Sequence, residues 1–158
     1  MKQMKVVINK CFGGFGLSPL AVKRMAELKG KPCYFFTQKG YGLDRVLIPV
    51  EMPEDNDFFW SAYTVPNPQE VAMSQVDWHS MTLEERAASN KSWQDISLDT
   101  RPEDRADLDL VQVVEELGDK ASGRCAELKV VSIPDDVEWA VEEYDGLEHI
   151  AQKHETWG

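Results

Sequence analysis

The chain has little cysteine, no long apolar run and no surplus of basic charge, and each lack removes a class of function. Its three cysteines, Cys11, Cys33 and Cys125, are odd in number and widely spaced. They include no C-x-x-C pair, so neither a zinc clasp nor a disulfide-exchange motif is present, and reduced thiols in a cytoplasmic protein are expected. No stretch approaches the roughly 18 apolar residues of a membrane helix, and Val6, Val7 and Ile8 after the lysine-bearing start are too few for a signal-peptide core. No membrane partner is expected. The formal net charge of -11 argues against a protein that coats nucleic acid directly.

Familiar chemical fingerprints are also missing. There is no G-x-G-x-x-G, no G-x-x-x-x-G-K-[ST] and no H-E-x-x-H, and His149 and His154 stand five residues apart rather than four. No metal site and no cofactor follow from the pattern, and no internal repeat or low-complexity segment is visible.

What is present is a single-domain composition. The 158 residues, 42% of them hydrophobic and 28% charged, suffice to bury about 70% of the surface of the unfolded chain. Charge is unevenly spread. Residues 1–50 carry nine Lys/Arg against Glu27 and Asp44, a surplus of seven positive charges, whereas the remainder carries eight basic against 26 acidic residues. Either folding pairs the two parts, or the basic part holds an anion.

The element order predicts an α+β domain over residues 1–158, with a small mixed sheet, two main helices, an irregular middle at about 51–100 and a C-terminal β-hairpin. Residues 4–9 (MKVVIN) form a β-branched strand, and 11–16 (CFGGFG) form a glycine-rich turn. Ser18 caps a helix that has Pro19 at its first position and stops at Gly30. Residues 33–37 (CYFFT) and 46–50 (VLIPV) read as strands joined through residues 39–42, with Pro49 restricting the second to an edge or end. Three prolines break up 51–77, and Thr82 with Glu85 opens a short helix over 82–89. Leu110, Val113, Val114, Leu117 and Ala121 give the clearest helical stripe, over 107–122. Residues 128–133 and 137–141 flank Pro134-Asp135-Asp136 as a hairpin, with Val137, Trp139 and Val141 on one face. Leu147, Ile150, Ala151 and His154 fit either a short helix or an extended segment.

The most suggestive chemistry is the strand, glycine-rich turn and helix start in succession. Backbone N–H groups of Gly13, Gly14 and Gly16 can face an anion, and the helix N-terminus adds about half a positive charge. The same glycines also suit a tight turn whose Phe12 and Phe15 fill the core. Cys11 at the helix start suits a nucleophile with a lowered pKa, or an ordinary buried thiol without a base. Arg101 and Arg105 can fork onto a phosphate, or pair with Glu103, Asp104 or Asp107 on a solvated turn. Five tryptophans, Trp60, Trp78, Trp93, Trp139 and Trp157, suit core packing or base stacking.

KVVINKCFGGFGLS (residues 5–18) and LVQVVEELGDKASGRCAELKVVSIPDDVEWAVEEYDGLEHIAQKHETW (residues 110–157) together resemble a widespread family of small phage and prophage proteins. Arg101-Pro-Glu-Asp-Arg105 continues the resemblance, whereas residues 31–90 carry none. The resemblance implies anti-defence proteins that sequester cyclic-nucleotide immune signals, like the anti-CBASS sponges: homo-oligomeric binders without catalysis, acting in the cytoplasm of an infected host cell. On that reading a small nucleotide ligand meets Asn9, Cys11, Phe12, Gly13, Gly14, Phe15, Gly16, Arg101 and Arg105, with Phe12 or Phe15 stacking. Two alternatives remain. One is an acidic mimic of nucleic acid that blocks a basic groove, and the other is an enzyme on nucleotides using Cys11 or the carboxylates of Asp99 and Asp104.

Overall fold

The computed structural model describes residues 3–40, 45–54, 60–72, 78–136 and 138–152. The expected roles of Val137, His154, Trp157 and the Tyr41-Gly42 part of a turn lie outside the described residues. The chain is α+β and divides into two compact units, residues 1–29 with 100–158 and residues 30–99.

In the first unit, β1 (Gln3–Asn9) pairs antiparallel with β5 (Leu128–Pro134) along its whole length, from Gln3 opposite Pro134 to Asn9 opposite Leu128. Val6, Val7 and Ile8 of β1 are all buried, so both faces of this strand are covered. Full burial of each such side chain is worth about 1.5–3 kcal/mol.

Helix α1 (Pro19–Leu28) begins where the sequence predicts: the Ser18 hydroxyl accepts from the Ala21 N–H, and Pro19 fills the first position. Its Ala21, Val22, Met25 and Ala26 are buried. Helix α4 (Leu108–Leu117) is capped by Asp107, whose carboxylate accepts from the Asp109 and Leu110 N–H groups. It stops earlier than its apolar stripe suggests, because Gly118 takes a left-handed φ of 58° and the chain continues as a 3-10 turn, Gly118–Ala121.

The C-terminal hairpin forms, but between other strands than expected. Residues 128–133 do not fold back onto 137–141, since their ladder belongs to β1. Instead β6 (Trp139–Tyr144) pairs with β7 (Leu147–Gln152), and residues 147–152 are extended. Asp145 (φ 50°) and Gly146 (φ 88°) are both left-handed, the conformation that a two-residue hairpin turn requires.

The two oppositely charged parts of the sequence meet within this unit. Lys5 bonds Glu115 at 3.1 Å, Arg24 bonds Glu116 at 2.9 Å, and Lys29 bonds Asp107 and Asp109 at 2.9 and 3.0 Å. Each pair joins the basic N-terminal stretch to α4 or its cap. The Lys29 ammonium, followed by the two backbone N–H groups of the cap, holds the Asp107 carboxyl below its ordinary value, against the opposing effect of burial. A depressed folded-state pKa gives stability that is present above the unfolded value of about 3.9 and is lost as pH falls through the folded value. Lys29→Met is therefore expected to cost no more than about 1 kcal/mol at neutral pH, as for other part-exposed pairs, and to flatten the acid limb of stability against pH. Urea midpoints measured from pH 6 downwards check this, and parallel acid limbs for the two proteins would refute it.

In the second unit, β2 (Tyr34–Lys39) is central, with β3 (Val46–Val50) and β4 (Trp60–Tyr63) antiparallel on either side. Pro49 lies on the edge strand, as its missing N–H demands. The outer side of β3 is closed by Gln69 of α2 (Pro68–Ala72), whose side chain accepts from the Leu47 N–H and donates to the Arg45 carbonyl, both at 3.1 Å. Phe36, Leu47, Tyr63, Ala72 and Ile96 form the core, flanked by Val65 and Trp93.

The middle of the chain is more regular than its three prolines suggest, since it carries β4, α2 and the fourteen-residue α3 (Leu83–Ile96). Thr82 caps α3 through the Glu85 N–H, as its capping-box pattern predicts. The helix runs past residue 89 with one buried residue, Ile96, so its sequence shows almost no apolar stripe. Among the described residues no helix is long and apolar enough to cross a membrane.

Candidate functional site

Asn9 ends β1 and organises the glycine-rich turn from beneath. Its buried carboxamide oxygen accepts from the Cys11 and Glu127 N–H groups at 3.3 and 2.8 Å, and its nitrogen donates to the Cys11 and Gly146 carbonyls at 2.7 and 2.8 Å. Its backbone N–H donates to Glu148 at 2.9 Å. All four side-chain hydrogen-bonding positions of an asparagine are thereby filled.

The turn is pressed against the tip of the β6–β7 hairpin. The Gly13 N–H donates to the Asp145 carbonyl at 3.3 Å. A Cβ on Gly146 would fall 2.3 Å from the Gly14 nitrogen and 2.7 Å from that of Gly13, and a Cβ on Gly13 would fall 2.7 Å from the Cys125 carbonyl oxygen. The glycines thus permit three backbone segments to touch, and this accounts for Gly13 and Gly146 without any ligand. The exit of the turn is closed in the same way. The Leu17 N–H donates to the Thr100 carbonyl, the Ser18 N–H donates to the Ala121 carbonyl, and the Gly16 carbonyl accepts from Gly123.

Arg105 has a partner that local sequence did not suggest. Its guanidinium forks onto Glu148 at 2.6 and 3.0 Å, donates through Nε to the Pro102 carbonyl at 2.9 Å, and lies 3.6 Å above the Phe15 ring. Its side chain is 15% exposed and that of Glu148 is 6% exposed. Arg105 therefore pairs with none of Glu103, Asp104 and Asp107. Phe15, buried under it, has no face to offer a base. Arg101 is exposed and follows Thr100, whose carbonyl binds the exit of the turn.

Phe12 behaves differently, with 59% of its surface exposed at the turn. Tyr144, a residue that sequence reasoning did not single out, is 76% exposed and precedes the Asp145-Gly146 tip that the turn touches. Lys10 and Arg124 are exposed beside the same knot, Lys10 through its backbone bond to Glu127 and Arg124 as the neighbour of Cys125. Glu127 and Asp145 are exposed there too, so the local charge is mixed. The signal for Tyr144 lay in its place before a two-residue turn, but only tertiary packing of the hairpin tip brings that turn to residues 13 and 14.

Cys11 is half-buried, and its Sγ contacts the Phe12 carbonyl at 3.4 Å rather than a basic side chain. His149 faces Glu142 across the hairpin at 3.2 Å. Among the described residues no group of three or more His, Cys, Asp and Glu side chains is placed to hold a metal ion. Trp60 packs edge-on against Phe35, and Trp93 packs against Tyr63, so both serve the second unit. No protein-family model, curated protein or solved structure matches the chain.

Proposed function

We propose that the protein binds and sequesters a base-bearing anionic ligand, a nucleotide signal of the cyclic-oligonucleotide kind, on the outer surface of the knot between residues 12–14 and 144–146. The observation that carries this reading is the delivery of two exposed aromatic rings, Phe12 and Tyr144, from opposite ends of the chain to one backbone contact. Exposed rings next to cations suit stacking on bases and charge-assisted bonds to phosphate. Lys10, Arg101 and Arg124 would supply the cations. Asn9, Phe15 and Arg105 shape the surface from beneath. The resemblance to phage proteins supplies the biological context, sequestration of a host immune signal without cleavage.

The acidic-mimic reading gains no support from α4, because Asp107, Asp109, Glu115 and Glu116 are engaged by Lys29, Lys5 and Arg24. Calorimetry against cyclic dinucleotides and cyclic trinucleotides tests the proposal. Phe12→Ala and Tyr144→Ala are each expected to weaken binding by roughly 1–3 kcal/mol, about five- to 140-fold, without changing the urea midpoint. Wild-type protein that binds none of these ligands would remove the proposal. A ligand recovered chemically changed would replace it with the enzyme reading.

A further inference from the structure

Alternate residues of an antiparallel strand turn their backbone groups towards the partner strand or away from it. On β1 the Val7 N–H donates to the Arg105 carbonyl at 2.8 Å and the Asn9 N–H to Glu148 at 2.9 Å, so the odd-numbered residues face away from β5. The register sets Asn9, Val7, Lys5 and Gln3 opposite Leu128, Val130, Ser132 and Pro134. The backbone groups of these four β5 residues therefore point outward, along the edge that β1 does not cover. The Leu128 N–H is taken by the Ser122 hydroxyl at 2.9 Å, and Pro134 has none. Between them, the N–H and C=O groups of Val130 and Ser132 have no hydrogen-bond partner among the described residues. By contrast, the outer edge of β1 is engaged by Arg105 and Glu148, and that of β3 by Gln69 and Pro49.

We propose that the outer edge of β5 is a homodimer interface, in which a second copy docks its own β5 antiparallel across a two-fold axis at Val131. The edge is self-complementary. Val130 and Ser132 flank Val131 symmetrically, so each meets its counterpart on the other copy and four N–H groups find four C=O groups. The exposed Lys129 then lies opposite Ile133 of the partner subunit and diagonal to Asp135 of the partner subunit, an attractive arrangement. Joining the copies turns the two-stranded β1–β5 ladder into a four-stranded sheet, a size at which sheets are independently stable. Because each copy carries a charge of -11, the dimer is expected to tighten as salt screens their repulsion.

Sedimentation velocity over a concentration series tests the interface. Wild type is expected to reach twice the 18.0 kDa mass of the chain, and Ser132→Pro to remain at 18.0 kDa. Proline there removes an outward N–H and leaves the bonds to β1 intact, so the circular dichroism spectrum should not change. Lys129→Asp, which leaves the backbone untouched, is expected to raise the dimer dissociation constant several-fold, and adding Asp135→Lys to it should restore dimerisation. A wild-type protein that stays at the mass of one chain, or an assembly that both single variants leave unchanged, would overturn the proposal.

Discussion

Replacing Arg105 with alanine is expected to lower the unfolding free energy by about 3–5 kcal/mol, the cost of leaving a buried carboxylate without its countercharge. Glu148 is 6% exposed, receives both ends of the Arg105 fork, and also accepts from the Asn9 N–H. Removing the guanidinium strips the carboxylate of two charge-assisted bonds and uncovers the Phe15 ring beneath. A solvated ion pair on a turn would cost about 1 kcal/mol at most, so the size of the loss discriminates. Combining Arg105→Leu with Glu148→Gln should recover part of it, since the buried charge is gone and the amide oxygen still accepts from Asn9. Urea denaturation at neutral pH measures each variant, and a loss of under about 1 kcal/mol for Arg105→Ala would contradict the buried pair. Arg101→Ala, at an exposed position where solvent screens any charge pairing, is expected to cost no more than about 1 kcal/mol. The two arginines of one short motif thus separate into a structural residue and a surface residue.

Gly146→Ala is expected to be at least as damaging, at roughly 3–6 kcal/mol, by adding left-handed strain to a clash between backbone segments. Its φ is 88°, and its added Cβ would lie 2.3 Å from the Gly14 nitrogen, which no side-chain rotation can relieve. Separation of the hairpin tip from the turn should follow, with loss of the Asn9 bond to the Gly146 carbonyl. Gly16→Ala provides the control, because nothing lies within 4 Å of the Cβ it would gain. Thermal unfolding should therefore show a large drop for Gly146→Ala and little change for Gly16→Ala. Equal effects at the two positions would mean that the contact between turn and hairpin does not hold the fold together. Any loss of ligand binding in Gly16→Ala without a loss of stability would extend the proposed binding surface to the exit of the turn.

Much of the local structure could be read from the residues themselves. Ser18 with Pro19, Thr82 with Glu85, and Gly30 after α1 act on their own backbone neighbours, so the caps needed no tertiary information. The β-branched, apolar character of residues 4–9 and 46–50 likewise marked strands, and Pro49 marked an edge. Helix α3 escaped in part because it buries so little that no stripe records its length. Pro134-Asp135-Asp136 looks like a hairpin turn whether or not its flanks pair with each other, so local sequence does not disclose that residues 128–134 pair with β1.

By itself the sequence determined the α+β class, the helix starts, the glycine-rich turn and a charge asymmetry that folding could neutralise. Only the tertiary structure decided that α4 would be the neutralising partner, that Glu148 and not a nearby acid would take Arg105, and that Phe12 would be open while Phe15 was covered. The physical reason is range. Capping, turn formation and β-branching act over a few bonds, whereas the partner of a strand, a buried charge or an aromatic ring is chosen among all residues that the fold brings within contact distance. Arg105 and Glu148 are 43 residues apart, and no periodicity in either segment encodes the other.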